Sequence, residues 1–251
     1  MAGVLVVTGA SRGIGASVAR LGAAAGYKVC VNYNAAGDKA AEVVDAITRA
    51  GGDAIAVQAD VAVEADVVRL FEEVDARLGA VTALVNNAGI LGGAFRVDAC
   101  EAGVLERLWA TNITGCFLCA REAVRRMSTR HGGRGGAIVN VSSLAGKAGG
   151  RDLRTHYAAS KGAVNAFTLG LAKEVAGEGI RVNAVLPGIT DTDIHAPYGG
   201  RERLERLEQL APSVPMGRYA HPDEVGHAVI WLLPDQASYI TGALLDITGG
   251  R

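Results

Sequence analysis

The chain has 251 residues, 49% of them hydrophobic, and its 25 basic and 26 acidic residues give a formal net charge of −1. This length suits one α/β domain with a sizeable core, and the balanced charge without a basic, aromatic-rich stripe argues against a nucleic-acid partner. The N-terminus lacks a signal-peptide pattern and no apolar run approaches the roughly 18 residues of a membrane span, so we expect a cytoplasmic protein without a membrane partner.

Short β-branched runs alternate along the chain with longer segments in which apolar residues recur at helical spacing. The predicted strands cover Val4–Val7, Lys28–Val31, Ala54–Val57, Ala83–Val85, Ala137–Val141, Arg181–Val185 and Leu244–Ile247. The predicted helices cover Gly13–Ala25, Asp38–Ala50, Glu64–Leu78, Cys100–Met127, Thr155–Ala176 and Pro222–Leu233. Near-continuous apolar strands are typical of parallel sheets that are covered on both faces. The alternation therefore predicts an α/β fold with about seven parallel strands in a doubly wound sheet and helices on both faces.

One irregular region runs from Pro187 to about Met216 and is rich in Gly, Pro and charged residues. It is too long for an ordinary connection between a strand and a helix. We expect residues 187–216 to form a lid over the substrate, with short helices. Within it, the stretch Ala196–Val214 is predicted to be a helix whose charged face is solvated.

The first predicted strand runs directly into Thr8-Gly9-Ala10-Ser11-Arg12-Gly13-Ile14-Gly15, and a helix follows at once. Glycines here allow a tight turn and a close approach of the backbone to a pyrophosphate, and the helix N-terminus offers free N–H groups. A turn that only packs the helix on the strand is the alternative, but the position between a first strand and a helix favours a dinucleotide. The predicted cofactor contacts in this loop are Gly9, Ser11, Arg12, Gly13, Ile14 and Gly15.

A second motif places Tyr157 and Lys161 four residues apart in a predicted helix, so that both side chains lie on one face. A tyrosine is a poor base near neutral pH because its pKa is about 10, but a nearby ammonium group favours the phenolate. The pair therefore predicts a general acid/base that acts on a carbonyl or alcohol group. An exposed lysine beside a packed tyrosine would be favoured for an isolated pair, and the dinucleotide loop upstream argues for chemistry.

Together these motifs resemble the short-chain dehydrogenase/reductase family. Two further signatures agree, since Asn86-Asn87-Ala88-Gly89 follows the fourth predicted strand and Pro187-Gly188 follows the sixth. The resemblance covers the chain from Val4 to the segment Ile240–Gly250. It implies a single Rossmann-type domain over residues 1–251, hydride transfer between a nicotinamide cofactor and a small-molecule carbonyl or alcohol, and a homodimer or homotetramer. The segment Gly177–Gly250 is similar to a sugar-dehydrogenase-like or acyl-carrier ketoreductase-like subgroup, which does not fix a substrate.

The resemblance implies four catalytic residues, which are Asn112, Ser143, Tyr157 and Lys161. The hydroxyl of Ser143 would hold the substrate oxygen at the tyrosine, and Ser142 takes that role if the register differs by one. Ser143 and Tyr157 are 14 residues apart, about one more than in many members, so the loop Lys147–His156 carries an insertion that bears on specificity. Asn112 would perturb its helix so that a backbone carbonyl holds a water linked to Lys161.

The end of the second strand predicts which nicotinamide cofactor binds. An acidic residue there would bond the ribose hydroxyls of NAD and repel a 2′-phosphate. This chain has Val31-Asn32-Tyr33-Asn34 and no carboxylate before Asp38, whereas Arg12 offers a planar fork to a phosphate. We predict NADP(H) rather than NAD(H). The other cofactor contacts implied by the resemblance are Asn32, Tyr33, Asp60, Val61, Asn87, Ala88, Gly89, Tyr157, Lys161, Pro187, Gly188, Ile189 and Thr192.

Two alternatives to an NADP(H)-dependent oxidoreductase remain open at this point. An NAD-dependent alcohol or sugar dehydrogenase keeps the chemistry and changes the cofactor, whereas a non-catalytic nucleotide-binding protein predicts damage to the four catalytic residues. The Cys116-x-x-Cys119 motif lies in an apolar helical stretch and is interpreted as two buried side chains rather than a metal site. Adjacency to the motifs suggests as substrate-pocket residues Leu91, Gly92, Leu153, His156, Ile194 and His195.

Overall fold

The computed structural model describes residues 3–195 and 200–251, and their side chains except those of residues 195 and 200–203. Within these ranges the strands are β1 Val4–Val7, β2 Lys28–Tyr33, β3 Ala54–Gln58, β4 Val81–Asn86, β5 Gly136–Val141, β6 Ile180–Pro187 and β7 Leu244–Ile247. They form one parallel sheet in the order β3-β2-β1-β4-β5-β6-β7. The expected doubly wound parallel fold is confirmed.

The helices occupy both faces of the sheet. They are α1 Gly13–Ala24, α2 Gly37–Arg49, α3 Glu64–Arg77, α4 Ala102–Trp109, α5 Gly115–Met127, α6 Ala145–Ala148, α7 Thr155–Val175, α8 Gly200–Leu210 and α9 Pro222–Trp231. Successive strand residues point to opposite faces, so Val4 and Val6 pack with α3, α5 and α7, whereas Leu5 and Val7 pack with α1, α2 and α9. Each face thereby has its own apolar core.

The predicted and observed elements differ mainly where polar residues end a strand. β2, β4 and β6 extend past their apolar runs to Tyr33, Asn86 and Pro187. Asn86 remains in its strand because its Nδ2 donates to the Oδ1 of Asn140 at 3.0 Å across β4 and β5. Most helix ends agree within two residues, which is the usual scatter of such boundaries.

The long helix predicted over Cys100–Met127 is the main departure. It begins at Ala102, and a five-residue π-helical segment, Ala110–Thr114, separates α4 from α5. Such π segments occur frequently at functional sites, and this one contains Asn112. The lid helix predicted within Ala196–Val214 appears as α8, whereas residues 196–199 lie outside the described residues. None of the described helices is long and apolar enough to cross a membrane.

Candidate active site

A cleft of about 700 Å³ opens at the carboxyl ends of the strands, where the strand order reverses between β1 and β4. Ligands of open α/β sheets bind at such a switch point. Of the residues predicted to contact a cofactor, the cleft is lined by Gly9, Ser11, Arg12, Gly13, Ile14, Asn32, Tyr33, Asp60, Val61, Asn87, Ala88, Gly89 and Thr192. Sequence reasoning did not select Asn34, Ala35, Ala36, Arg107 and Thr111, which line it as well.

The glycine loop shapes the floor of this cleft. Gly9 and Gly13 adopt φ angles of +60° and +56°, and a Cβ on Gly9 would lie 2.9 Å from the Cα of Ala88. Helix α1 begins at Gly13 without a side-chain cap and without an acidic residue in its first turn. Its first N–H groups and positive dipole end are therefore free to meet an anion. Gly15 lies beneath the loop, where a Cβ would be 2.5 Å from Nδ2 of Asn87, so it permits packing and does not line the cleft.

The side chain of Asn32, at the end of β2, forms hydrogen bonds with backbone groups inside the protein. Its Oδ1 accepts a hydrogen bond from the backbone N–H of Gly9 at 3.2 Å, and its Nδ2 donates to the carbonyls of Val57 and Ala59 at 3.3 and 3.1 Å. The side chain is 1% exposed. Asn32 therefore holds the glycine loop onto β2 and β3, and Tyr33 and Asn34 present the side chains of this strand end to the cleft.

Thr8 and Asn87 join the ends of β1 and β4. The hydroxyl of Thr8 accepts hydrogen bonds from the backbone N–H groups of Asn87 and Ala88 at 2.9 and 3.0 Å. The Nδ2 of Asn87 donates to the carbonyls of Thr8 and Gly9 at 2.9 and 3.0 Å. These four bonds fix the two strand ends on either side of the cleft. Thr8 was not among the predicted site residues, although it directly precedes the glycine loop.

A second cavity of about 340 Å³ adjoins the cleft. Five residues line both spaces, so they are continuous: Ile14, Asn87, Gly89, Thr192 and Ile194. Six further predicted residues line this cavity, namely Ser143, Tyr157, Lys161, Pro187, Gly188 and Ile189, whereas Asn112 lines neither space. They come from the ends of β5 and β6 and from the first two turns of α7.

The hydroxyl group of Ser143 lies beside that of Tyr157 and lowers its pKa, and both residues line the cavity. Ser143 Oγ also accepts from the backbone N–H of Ala145 at 3.1 Å, which fixes its position at the start of α6. The neighbouring Ser142 is 3% exposed, and its Oγ donates to the carbonyl of Lys161 at 3.1 Å. Of the two candidate serines, Ser143 is therefore the one that faces the phenol.

The expectation that Lys161 lowers the pKa of Tyr157 is wrong for this structure. Burial raises the pKa of Tyr157 to about 12, and the neighbouring hydroxyl of Ser143 and the charge of Arg154 offset this only in part. The Nζ of Lys161 lies 5.8 Å from the centre of the phenol ring. Burial also lowers the pKa of Lys161 to about 8, so the ammonium expected to stabilise a phenolate is itself poorly solvated.

Lys161 is a buried residue of the cavity wall. It is 4% exposed, and its Nζ donates to the carbonyl of Val141 at 2.8 Å. A small cavity of about 10 Å³ lies between Lys161, Thr111 and Asn112. This is close to the volume that one water molecule needs.

The side chain of Asn112 clamps the loop after β4. Its Oδ1 accepts from the N–H of Ile90 at 2.8 Å and its Nδ2 donates to the carbonyl of Ile90 at 2.9 Å. The same Nδ2 donates to Ser160 Oγ at 3.0 Å, and Ser160 Oγ donates to the carbonyl of Tyr157 at 2.7 Å. Asn112 thus connects the π segment with both the cleft wall and helix α7.

The suggested substrate-pocket residues divide into two groups. Leu91 and Ile194 line the cavity, whereas Gly92, Leu153 and His156 do not. The ring of His156 stacks on Phe95 with centroids 4.1 Å apart and shares a hydrogen bond with the carbonyl of Leu91 at 3.0 Å. The side chain of His195 lies outside the described residues. Sequence reasoning missed three cavity-lining arginines, Arg151, Arg154 and Arg251.

The cysteines are free thiols. Cys116 and Cys119 are buried, and burial raises the pKa of Cys116 to about 12 and that of Cys119 further. Neither thiol is activated as a nucleophile or metal ligand by its surroundings. Within residues 3–195 and 200–251, no cluster of three or more His, Cys, Asp or Glu residues is arranged to hold a metal ion.

Comparison with known proteins agrees with this geometry. The sequence model of the family described as "Enoyl-(Acyl carrier protein) reductase" matches residues 9–251. An uncharacterized oxidoreductase of Escherichia coli, YgfF, is 47% identical over 99% of both chains. A human 3-oxoacyl-(acyl-carrier-protein) reductase is 40% identical over 98% of this chain and 97% of its own.

A solved structure shows the same likeness. A mutant short-chain dehydrogenase/reductase from Serratia marcescens superposes with a TM-score of 0.89 at 34% identity, over 99% of this chain and 97% of its own. At this coverage the likeness extends over the whole sheet and both helical layers.

Proposed function

The chain belongs to the short-chain dehydrogenase/reductase family of NAD(P)-dependent oxidoreductases, and we propose that it is an NADP(H)-dependent member in which Tyr157 exchanges a proton with a carbonyl or alcohol oxygen. The observation that carries this proposal is that Ser143 and Tyr157 line one cavity, which is continuous with the dinucleotide cleft. A substrate oxygen in that cavity can meet both hydroxyl groups while its carbon faces the cleft.

The residues of the cleft fit a nicotinamide dinucleotide. The uncapped N-terminus of α1 and the close backbone approach at Gly9 suit a pyrophosphate. Asp60 and Val61 would contact the adenine. At the other end, Thr192 and the segment Pro187-Gly188-Ile189 would hold the nicotinamide, because they line the space shared with the substrate cavity or lie beside it. The bound cofactor supplies or accepts the hydride.

NADP(H) is proposed because of the charges at the ribose end of the cleft. Arg12 is exposed there and forms no ion pair with another described residue, so its guanidinium fork is free for a 2′-phosphate. Tyr33 and Asn34 provide no carboxylate to repel that phosphate. Two acidic residues are among the described residues that line the cleft. Asp60 Oδ1 accepts from the backbone N–H of Ala62 at 2.9 Å, and Asp193 lies 3.6 Å from the Nζ of Lys39 in an ion pair.

The four catalytic candidates would divide the proton chemistry between them. Ser143 would hold the substrate oxygen, and Tyr157 would donate a proton during reduction or accept one during oxidation. Its high pKa suits the donor role, because the phenol stays protonated at neutral pH. Lys161 would bond the nicotinamide ribose and connect to solvent through a water in the small cavity beside Asn112. Asn112 is a positioning residue because its amide is bonded within the protein.

The proposal includes the domain organisation and the oligomeric state of the protein. Residues 1–251 would form one cytoplasmic domain, with residues 187–216 as the lid. Phe117 on α5 is 49% exposed and Leu169 on α7 is 39% exposed, which supports a homodimer that covers these helices. Tyr239 and Leu245 are exposed near β7 and support a second interface in a homotetramer. Sedimentation velocity would measure the assembly directly.

The test of the reaction is Tyr157→Phe, with Tyr27→Phe as the matched control because Tyr27 lies at the opposite end of the sheet, just before β2. NADPH oxidation is followed with ketones, quinones, sugars and acyl thioesters, and NADPH binding is followed by nicotinamide fluorescence. We expect Tyr157→Phe to bind NADPH nearly as the wild type does and to lose turnover. Full activity of this variant would refute the assignment.

A further inference from the structure

The wall of the substrate cavity beyond Tyr157 is strongly positive. Arg151, Arg154 and Arg251 line it, and Asp152 provides the one acidic side chain among the described residues that do so. That carboxylate is already engaged, because its Oδ2 lies 2.7 Å from Arg206 and 3.7 Å from Arg154. The cavity thus offers more cationic groups than the described part of the protein neutralises.

Arg154 is the most informative of these residues. Its side chain is only 12% exposed, and its Nε is buried without a hydrogen-bond partner among the described residues. A buried guanidinium N–H that lacks a partner is costly, and in native structures such a group calls for an explanation, such as a bound ion or water. Arg154 also acts on the reacting end of the cavity, since its charge lowers the pKa of Tyr157.

Arg151 and Arg251 add two solvent-exposed cations to the wall of the cavity. The pKa of Arg251 is lowered by partial burial and by the nearby charge of Arg151. Neither residue forms an ion pair with another described side chain. Two guanidinium groups that repel each other at the wall of a cavity would be stabilised by an anion between them.

The cofactor's phosphates do not account for this anion. They are expected at the N-terminus of α1, and none of the three arginines lines the cleft there. The arginines lie instead on the far side of Tyr157, in the segment between β5 and α7 and after β7. An anion bound by these arginines would therefore lie on the substrate's side of the site.

The loop that carries these arginines is held in an unusual conformation. Asp152 and Leu153 adopt φ angles of +52° and +62°, which only a few per cent of non-glycine residues do. The conformation is fixed by the hydrogen bond from Phe95 N to Leu153 O at 3.0 Å and by the ion pair between Asp152 and Arg206. Strain of this kind persists where the surrounding structure determines it, often around a binding site.

From these observations we propose that the substrate is an oxo acid, whose carboxylate binds Arg154 and Arg151 while its carbonyl oxygen meets Ser143 and Tyr157. The guanidinium fork matches a carboxylate in geometry and charge. The cavity of about 340 Å³ suits a small compound of this class. The inference rests on the function proposed above. The carbonyl carbon would take a hydride from the reduced nicotinamide and its oxygen a proton from Tyr157, which leaves a hydroxy acid and the oxidised cofactor.

The test compares 2-oxo-, 3-oxo- and 4-oxopentanoate with their methyl esters, which differ in charge but keep the carbonyl. For at least one position we expect the acid to exceed its ester in kcat/KM by about 10- to 100-fold, the effect of a charge-assisted contact. In Arg154→Met this ratio should fall towards one, and Arg151→Met should lower it by a smaller factor. Arg134→Met is the matched control, because Arg134 is exposed in the turn before β5 at the opposite edge of the sheet, and it should keep the wild-type ratio.

Failure of this inference is distinguishable from failure of the proposed function. If Tyr157→Phe is inactive but Arg154→Met keeps the wild-type ratio of acid to ester, only the carboxylate site is refuted. If Tyr157→Phe stays active, the proposed function is refuted, and the carboxylate site is judged by calorimetry with 2-, 3- and 4-hydroxypentanoate and their methyl esters in the presence of NADP⁺. Equal affinity for acid and ester would overturn the carboxylate site, and so would a preference for neutral esters in the wild type.

Discussion

Asn112 binds both backbone groups of Ile90, accepting from its N–H at 2.8 Å and donating to its carbonyl at 2.9 Å. The side-chain amide pairs with the backbone of Ile90 as a residue of an adjacent strand would. It thereby connects the π segment between α4 and α5 to the loop after β4. That loop, from Asn87 to Leu91, lines both the cofactor cleft and the substrate cavity. Asn112 therefore helps to align the two spaces, together with the bonds of Thr8 and Asn87 at the start of the loop.

Replacing the amide of Asn112 should distinguish its effect on catalysis from its effect on the free energy of unfolding. Asn112→Leu leaves the Ile90 groups without partners, so we expect a loss of about 1–3 kcal/mol in the free energy of unfolding and a fall in kcat larger than any rise in KM. Urea unfolding and steady-state kinetics measure the two effects. Asn183→Leu removes another buried amide, which bonds Ile240 O and Ala243 N away from the cavities. This control should lose comparable stability and keep its kcat; a fall in kcat of similar size in both variants would contradict the positioning role.

The two serines at the end of β5 should behave differently. Ser143→Ala removes the hydroxyl that meets Tyr157, so we expect kcat to fall by about 100-fold, as for other lost donors to a reacting oxygen. Ser142→Ala removes only the bond to the carbonyl of Lys161, and turnover per folded molecule should stay within a few-fold of the wild type. The comparison is made by steady-state NADPH oxidation. The opposite ranking of the two variants would reassign the substrate-binding hydroxyl to Ser142.

Arg12 should set the preference between the two cofactors. Arg12→Ala removes the guanidinium fork proposed to hold the 2′-phosphate, and we expect NADPH to bind about 10- to 100-fold more weakly, with little change for NADH. Fluorescence titration gives both dissociation constants. Arg49→Ala serves as a control at the far end of α2, where Arg49 bonds only the backbone of Asp45. If Arg12→Ala weakened the binding of NADPH and NADH equally, Arg12 would not bind the 2′-phosphate.

The buried ammonium of Lys161 should be visible in the pH dependence of stability. Its pKa is about 8 in the folded cofactor-free protein and 10.5 in the unfolded chain, so the unfolded state binds more protons between these values. Stability contributed by this group therefore rises with pH across that window, by up to about 1.4 kcal/mol per pH unit. Other groups titrate there too, because burial raises the pKa of Cys116 above that of a free thiol. The observable is thus a difference, the free energy of unfolding of the wild type minus that of Lys161→Met.

We expect this difference to increase from pH 8 to pH 10 and to be flat below pH 7, where Lys161 is protonated in both states. Chemical denaturation at each pH measures it. A difference that is flat throughout, or that falls with pH, would mean that the folded protein does not lower the pKa of Lys161.

The sequence alone determined the order of elements and the place of the chemistry. Strand and helix periodicities are local, so the alternation from Val4 to Ile247 predicted the parallel doubly wound sheet. The glycine loop and the Tyr157–Lys161 spacing are local as well, and parallel strands bring their carboxyl ends to one edge. For this reason the predicted site residues converged on two continuous cavities.

Only the tertiary structure decided how individual side chains are used, because that depends on partners distant in the chain. The side-chain amide of Asn32 is bonded to the backbone of Gly9 and Ala59, although Asn32 lies at the edge of the cleft. Burial raises the pKa of Tyr157, although Lys161, four residues later in the chain, predicts the opposite. Arg154 carries no sequence motif, and its importance follows from a buried N–H that lacks a described partner in the substrate cavity.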